Sequence, residues 1–139
     1  MKEQKPSEVI SGFLSFLEQM NAEHIECTKT VEVCSQRNYD YLHDMEFAKD
    51  KNVRNKVATK IHNNQVNRRK AKDRALETER VAKFFTDKNN RPFINAMKRL
   101  VKDQENTEKY LEGDRHYERR VGDNDADDTG GQQAAGKEA

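Results

Sequence analysis

The first residues able to do chemistry are a group of metal-ligand types. His24 and Cys27 stand three residues apart, so on a helix they share a face and offer zinc one nitrogen and one sulfur ligand. Cys34 lies seven residues after Cys27, about 10 Å along a helix, too far for a shared metal ion or a disulfide. We therefore predict no metal, no cofactor and two reduced cysteines that pack as small apolar side chains.

The second group is a run of bases in QVNRRKAKDRAL, residues 65–76, where the single acidic residue is Asp73. Such clusters bind phosphate groups or acidic protein surfaces, and otherwise form a solvated or internally neutralised face. The candidate face for a protein partner or a nucleic acid comprises Arg54, Lys60, Arg68, Arg69, Lys70, Lys72 and Arg74.

The basic run has a limited likeness to the basic region of leucine-zipper transcription factors. Asn67 and Ala71 stand four residues apart among arginines, as such a region requires. A zipper would then continue with leucines at every seventh position after Leu76, where this chain has Lys83 and Asn90. The sequence therefore does not predict a zipper.

Catalytic patterns are absent from the sequence. It has no Gly-rich phosphate loop, no serine in a strand–turn–helix setting and no carboxylate pair with a reason for a raised pKa. Catalysis also needs a concave, partly apolar pocket, which slender helical proteins seldom form. We predict that the chain is not an enzyme and has no catalytic residues.

The elements that must position these residues are helices. The 139 residues are 33% apolar and 37% charged, which favours exposed helices over a thick core. Neither Gly nor Pro occurs between Gly12 and Pro92, a gap that is natural for helices and unusual for sheets. We predict an all-α single domain over residues 1–121 and a disordered acidic tail over 122–139.

A seven-residue apolar repeat predicts one long helix over about 8–48, with Ser7 as its N-cap. His24 and Asn38 interrupt the repeat as polar residues that would set the register of pairing. The two columns of the repeat are Ile10, Leu17, His24, Val31, Asn38 and Met45, and Phe13, Met20, Cys27, Cys34, Tyr41 and Ala48.

The repeat lapses at residues 49–52, where we predict a turn. An unbroken helix over 8–86 would be about 115 Å long and would need a partner chain, so an antiparallel hairpin with a second helix over about 52–86 is favoured. A third helix is predicted over about 91–112, with Asn90 as its cap and Gly113 as its stop. The apolar residues that resume after the turn are Val53, Val57, Ile61, Ala71, Ala75, Ala82 and Phe85.

Charge is segregated between the two predicted hairpin helices. Residues 7–48 hold eight acids and two bases, a net charge of −6, whereas residues 49–74 hold ten bases and two acids, a net charge of +8. In a hairpin, neighbouring residue numbers sum to roughly 100, which predicts complementary fields along the two helices. That register brings Glu26 level with Arg74, Glu32 level with Arg68, and Asp40 level with Lys60.

No apolar run approaches the roughly 18–20 residues of a membrane span, and the first residues, MKEQKPSEVI, lack the layout of a secretion signal. We therefore predict a cytoplasmic protein without membrane contact. Three hypotheses for the function remain open. The chain could be a protein-binding module, a nucleic-acid-binding protein that acts through the basic second helix, or a homo-oligomer that pairs through the seven-residue apolar repeat.

Six segments carry a resemblance to known proteins: ISGFLSFLEQMN at 10–21, DYLHDMEF at 40–47, RNKVATKI at 54–61, RRKAKDR at 68–74, VAKFF with DKNNRPFINAMKRL at 81–100, and HYERRV at 116–121. Together they resemble small helical proteins encoded by phages and prophages of Gram-positive bacteria (Firmicutes). The resemblance implies a bacterial cytoplasm and an accessory gene of a mobile element, and it carries over no site residues. By analogy with genes of that kind, it suggests a stoichiometric inhibitor of a host defence system, such as an anti-CRISPR protein.

Overall fold

The computed structural model describes residues 3–121, which form three α-helices in chain order. Helix α1 spans Pro6–Phe47, α2 spans Lys51–Thr86 and α3 spans Arg91–Glu112, and a 3-10 turn at Lys88–Asn90 precedes α3. The predicted all-α class and helical hairpin are confirmed, and each helix end lies within two residues of its predicted position. The predicted disordered tail over 122–139 lies outside the described residues.

Helices α1 and α2 pack along their length as an antiparallel hairpin in the predicted register. The side-chain amide of Asn64 donates to the carbonyl of Cys34 at 2.7 Å. Nδ1 of His24 lies 2.9 Å from the carbonyl of Ala75. The residue numbers of these two pairs sum to 98 and 99, against the predicted value of roughly 100.

The face of α2 that meets α1 repeats at alternating steps of four and three residues, which is the spacing of a coiled-coil seam. Its members, all buried or half-buried, are Val57, Ile61, Asn64, Arg68, Ala71, Ala75, Thr78, Ala82 and Phe85. Val53 was predicted to belong to this face, but it lies in the first turn of α2, next to the hairpin loop, and is 43% exposed. Asn64 and Thr78 were not predicted, and they are 5% and 1% exposed.

The interface between α1 and α2, which we call the seam, is thin and is rich in small residues on the α2 side. In α1 the predicted columns are buried or half-buried apart from Phe13, which is 44% exposed near the end of α2. Because alanine has no side chain beyond Cβ, the larger side chains of α1 can approach the α2 backbone closely. The buried apolar residues are Leu17, Met20, Cys34, Val57, Ala71, Ala82 and Ile94.

The turn of the hairpin lies where the apolar repeat lapses. Helix α1 ends at Phe47, and Asp50 takes the N-cap position of α2. The Asp50 carboxylate accepts a hydrogen bond from the backbone N–H of Val53 at 2.9 Å, which satisfies one of the unpaired donors at the start of α2. The turn therefore has a local cause in addition to the loss of apolar residues.

The start of α1 is capped from α3, so the prediction that Ser7 is the N-cap was wrong. Helix α1 begins at Pro6, Lys5 occupies the cap position without a side-chain cap bond, and Ser7 is 4% exposed inside the first turn. The backbone N–H of Ser7 donates to the Glu108 carboxylate at 3.0 Å, and its hydroxyl donates to the same carboxylate. A carboxylate from another helix thus satisfies the donor that a local cap would have served.

Helix α3 runs from the end of α2 to the start of α1, and it contacts α1 far more than α2. At its far end, Glu112 forms an ion pair with Lys5. Asn90 precedes α3 as predicted, but its side chain donates to the carbonyl of Phe84 at 3.0 Å and does not cap the helix. The prediction that Gly113 ends α3 is confirmed.

Replacing Asn64 with alanine should lower the free energy of unfolding by about 1–2 kcal/mol, because a buried side-chain hydrogen bond across the seam is lost. Asn67→Ala is the matched control, since Asn67 is exposed on the same helix and gains the same helix propensity. Urea unfolding followed by circular dichroism measures both. Equal stabilities of the two variants would contradict the role given to Asn64.

The contact between Glu108 and Ser7 should make the docking of α3 sensitive to acid. The hydrogen bonds from Ser7 hold the pKa of Glu108 below its ordinary value of 4.5, so the ionised form contributes stability that is present above pH 4.5 and is lost as the pH falls further. We expect the protection factors of the α3 amides, which correct the exchange rates for the intrinsic effect of pH, to fall on acidification below that value. Glu108→Gln should weaken this dependence, whereas Glu105→Gln, at an exposed position of the same helix, should leave it unchanged.

Candidate interaction surface

The structure divides the predicted basic face into inward and outward parts. Arg68 is half-buried, and its Nε donates to the hydroxyl of Ser35 at 3.0 Å. Arg74 is also half-buried, forms an ion pair with Glu23 on α1, and donates to Glu77 at 2.7 Å. The remaining members are exposed and form no ion pair with any residue in the range 3–121; they are Arg54, Lys60, Arg69, Lys70 and Lys72.

The predicted complementary fields of α1 and α2 produce little direct pairing. Within residues 3–121, Arg74–Glu23 is the one ion pair that joins the two helices. Arg74 was predicted to lie level with Glu26, but it bonds one turn earlier on α1, where Glu23 borders the seam. Glu32 and Asp40 are exposed and directed away from α2. Most of the segregated charge therefore faces outward.

The hydrogen bonds of Arg74 also have an electrostatic consequence. Its bonds to Glu23 and then to Glu77 raise the pKa of Arg74 above its usual value. Because the side chain is 40% exposed, solvent screens most of this attraction. Arg74 therefore contributes modestly to the stability of the hairpin, and it contributes little to an outward binding surface.

The outward surface of α2 centres on Leu76, which is 72% exposed. Its neighbours four residues before and after it on the helix are Lys72 and Arg80, and those seven residues away are Arg69 and Lys83. All four are basic, although Lys83 is paired with Glu79 at 2.8 Å. We call the surface formed by Arg69, Lys70, Lys72, Leu76 and Arg80 the α2 basic face.

Leu76 forms a ridge between two shallow, open depressions. Besides Leu76, one depression is lined by Lys70, Asp73, Arg74 and Glu77, and the other by Arg69, Lys72, Asp73 and Glu79 together with His24, Thr28 and Ala75. Leu76 was not singled out from the sequence. The pattern could have indicated it, because Leu76 is a large apolar residue directly after the seam residue Ala75, where a helical residue points away from the seam. Glu77 and Glu79 are paired with Arg74 and Lys83, so within residues 3–121 the unpaired bases around Leu76 outnumber the unpaired acids. An apolar side chain in that setting suits a partner with an acidic surface and a small apolar recess.

The polar residues predicted to set the register lie along the seam. His24 contacts the Ala75 carbonyl and lies 3.2 Å from the hydroxyl of Thr78. Because a carbonyl oxygen can only accept, Nδ1 of His24 carries the proton. Asn38 is half-buried, and its Oδ1 has no hydrogen-bond partner in the described part of the chain. The register role of both residues stays a prediction.

The other residues that could take part in chemistry do not form a common site in the described part of the chain. Cys34 is 2% exposed in the seam, and its carbonyl accepts the Asn64 amide. Among residues 3–121, no group of three or more His, Cys, Asp or Glu side chains is arranged to hold a metal ion. None of the helices in that range combines the length and the apolar character of a membrane span.

Comparison with known proteins leaves this surface as the main guide to function. The chain matches no protein-family model, no curated protein and no solved structure. The resemblance to phage and prophage proteins therefore stays a prediction.

Arg74→Met should lower the free energy of unfolding by more than its matched control does, because a partly exposed ion pair to α1 is lost while the apolar stem is kept. Arg69→Met is the matched control and should change stability by less than about 0.5 kcal/mol, since Arg69 is exposed and unpaired. Urea unfolding of both variants checks the division into inward and outward arginines. A larger loss for Arg69→Met would contradict it.

Proposed function

We propose that this chain is a non-enzymatic helical binding module that binds an acidic protein surface through the α2 basic face. The observation that supports this proposal is the exposure of Leu76 among unpaired bases. An exposed leucine costs free energy in water, and burial in a partner would recover roughly 1.5–3 kcal/mol. The surrounding bases would steer an acidic partner and fix its orientation.

The combination of leucine and bases favours a protein partner over a nucleic acid. Nonspecific binding to phosphates depends on charge and gains nothing from an aliphatic side chain at the centre of the contact. Protein interfaces, in contrast, place a buried anchor at the centre and charged groups at the rim. Leu76 occupies the central position, and Arg69, Lys72 and Arg80 occupy the rim.

The resemblance to phage and prophage proteins gives the proposal a setting. In the cytoplasm of a bacterial host, a small module of this type would act as a stoichiometric inhibitor of a defence system, in the manner of an anti-CRISPR protein. Such an inhibitor needs no catalytic site, because it works by occupying a surface of its target. The support for this setting is resemblance and analogy, and the α2 basic face supplies the means of binding.

The test is co-purification from lysogenic cells, combined with phage plating in the presence of a defence system. We expect a complex of fixed stoichiometry and loss of defence, and we expect Leu76→Ala to weaken the complex by at least about tenfold. Leu111→Ala is the matched control, because Leu111 is 53% exposed on α3, outside the α2 basic face. Absence of a protein partner together with undiminished defence would refute the proposal.

Nucleic-acid binding is the second candidate, favoured by the exposed and unpaired bases Arg54, Lys60, Arg69, Lys70 and Lys72. It predicts binding in a gel-shift assay that weakens steeply as the salt concentration rises. Reversal of Arg69 and Lys72 to glutamate should then abolish binding, whereas Leu76→Ala should leave it unchanged. The opposite dependence on Leu76 separates the two candidates.

A further inference from the structure

The outward face of α1 carries a regular pattern whose ring and ion-pair contacts within residues 3–121 are those of Tyr39 and Glu46 with His43. Every seventh residue along one column alternates between an acid and a large apolar side chain: Glu18, Ile25, Glu32, Tyr39 and Glu46. All five are exposed, with Ile25 at 54% and Tyr39 at 64%. This column lies one residue after the seam column of α1, and its side chains are directed toward solvent.

A second column repeats the same alternation, and the column of Ser15, Ala22, Lys29, Gln36 and His43 lies between the two on the helix surface. The second column contains Glu26, Val33, Asp40 and Phe47, all exposed, with Phe47 at 72%. Neither column contains Lys or Arg, and the one ion pair that either makes within residues 3–121 joins Glu46 to His43 at 3.6 Å. We call the two columns together the acid–apolar stripe.

The acid–apolar stripe and the α2 basic face lie on opposite edges of the hairpin, because the seam occupies the side of each helix that faces the other. The two surfaces have opposite charge, and each includes exposed apolar side chains. They cannot meet within one chain, and the one ion pair between α1 and α2 leaves nearly all of their charge unmatched. The whole chain has a formal net charge of only +1, so net charge does little to keep two copies apart.

We propose that the acid–apolar stripe of one copy binds the α2 basic face of a second copy, with Leu76 against Val33, the exposed apolar residue near the middle of the stripe. The two surfaces differ, so the contact is heterologous: each added copy presents a free stripe at one end and a free basic face at the other. Association therefore continues beyond the dimer. This inference does not rest on the proposed function, although an acidic partner would compete for the same α2 basic face.

The dimensions of the stripe place this contact among weak and reversible associations. From Glu18 to Phe47 the stripe extends about 44 Å along α1, but the α2 basic face extends only about 17 Å from Arg69 to Arg80, so a contact about 10 Å wide would bury roughly 170 Å² per copy. Stable interfaces bury about 800 Å² per partner, and smaller ones are typical of transient complexes. The charge match should make the contact depend strongly on salt, because salt screens interactions between exposed groups.

The experiment is sedimentation velocity of the purified full chain, free of nucleic acid, over a range of concentrations at about 50 mM and about 1 M salt. We expect the average mass at low salt to rise with concentration past twice the 16.2 kDa of the monomer, and to return to the monomer value at high salt. A chain that stays monomeric at low salt, or stops at the dimer, would overturn the proposal.

Charge reversal identifies the surfaces in the same assay. Glu32→Lys with Asp40→Lys changes the stripe, and Arg69→Glu with Lys72→Glu changes the basic face; all four positions are outside the seam, and circular dichroism checks folding. Each variant alone should stay monomeric, while an equimolar mixture, or one chain with all four changes, should associate again. Association that survives either reversal, or a mixture that stays monomeric, would refute this pairing.

Discussion

The arrangement of the molecule depends on the seam between α1 and α2. A repeat of three and four residues continues through both helices, so the side of each helix that is buried stays constant from one end of the hairpin to the other. Small residues such as Ala71 and Ala82 keep the seam narrow, and burial in a chain that is 37% charged is confined largely to this line. Most of the remaining positions on α1 and α2 are exposed, and their directions around each helix follow from the seam.

We predict that polar contacts make the seam specific to one register. The Asn64 amide and the His24 ring each meet a backbone carbonyl of the opposite helix. A shift of either helix by one turn would bury these groups without partners, which costs more than the bonds themselves contribute in the native pairing. Glu108 acts in a similar way at the open end, because it supplies a cap that the first turn of α1 does not have locally.

Much of this fold could be predicted from the sequence. The long interval without Gly or Pro, the heptad columns of α1 and the cluster of polar residues at the turn are local signals, and each gave a helix end close to the observed one. Asn64 and Thr78 were missed because polar residues at seam positions resemble a lapse in the repeat. Ser7 was misread because its partner is 101 residues away in the chain. The division of the bases could be predicted in outline, because the hairpin register brings Arg68 and Arg74 level with acids of α1, but their actual partners are Ser35 and Glu23.

The continuous seam also limits how the hairpin can change in length during evolution. A single inserted residue in α2 would rotate every later side chain by about 100° and carry Ala71 or Thr78 out of the seam. An insertion of seven residues in one helix would restore the rotation but leave the other helix one heptad short. Length can therefore change readily only by matched heptads on both sides of the turn at Asp50. The hairpins of relatives of this chain would then differ in length by steps of about 10 Å.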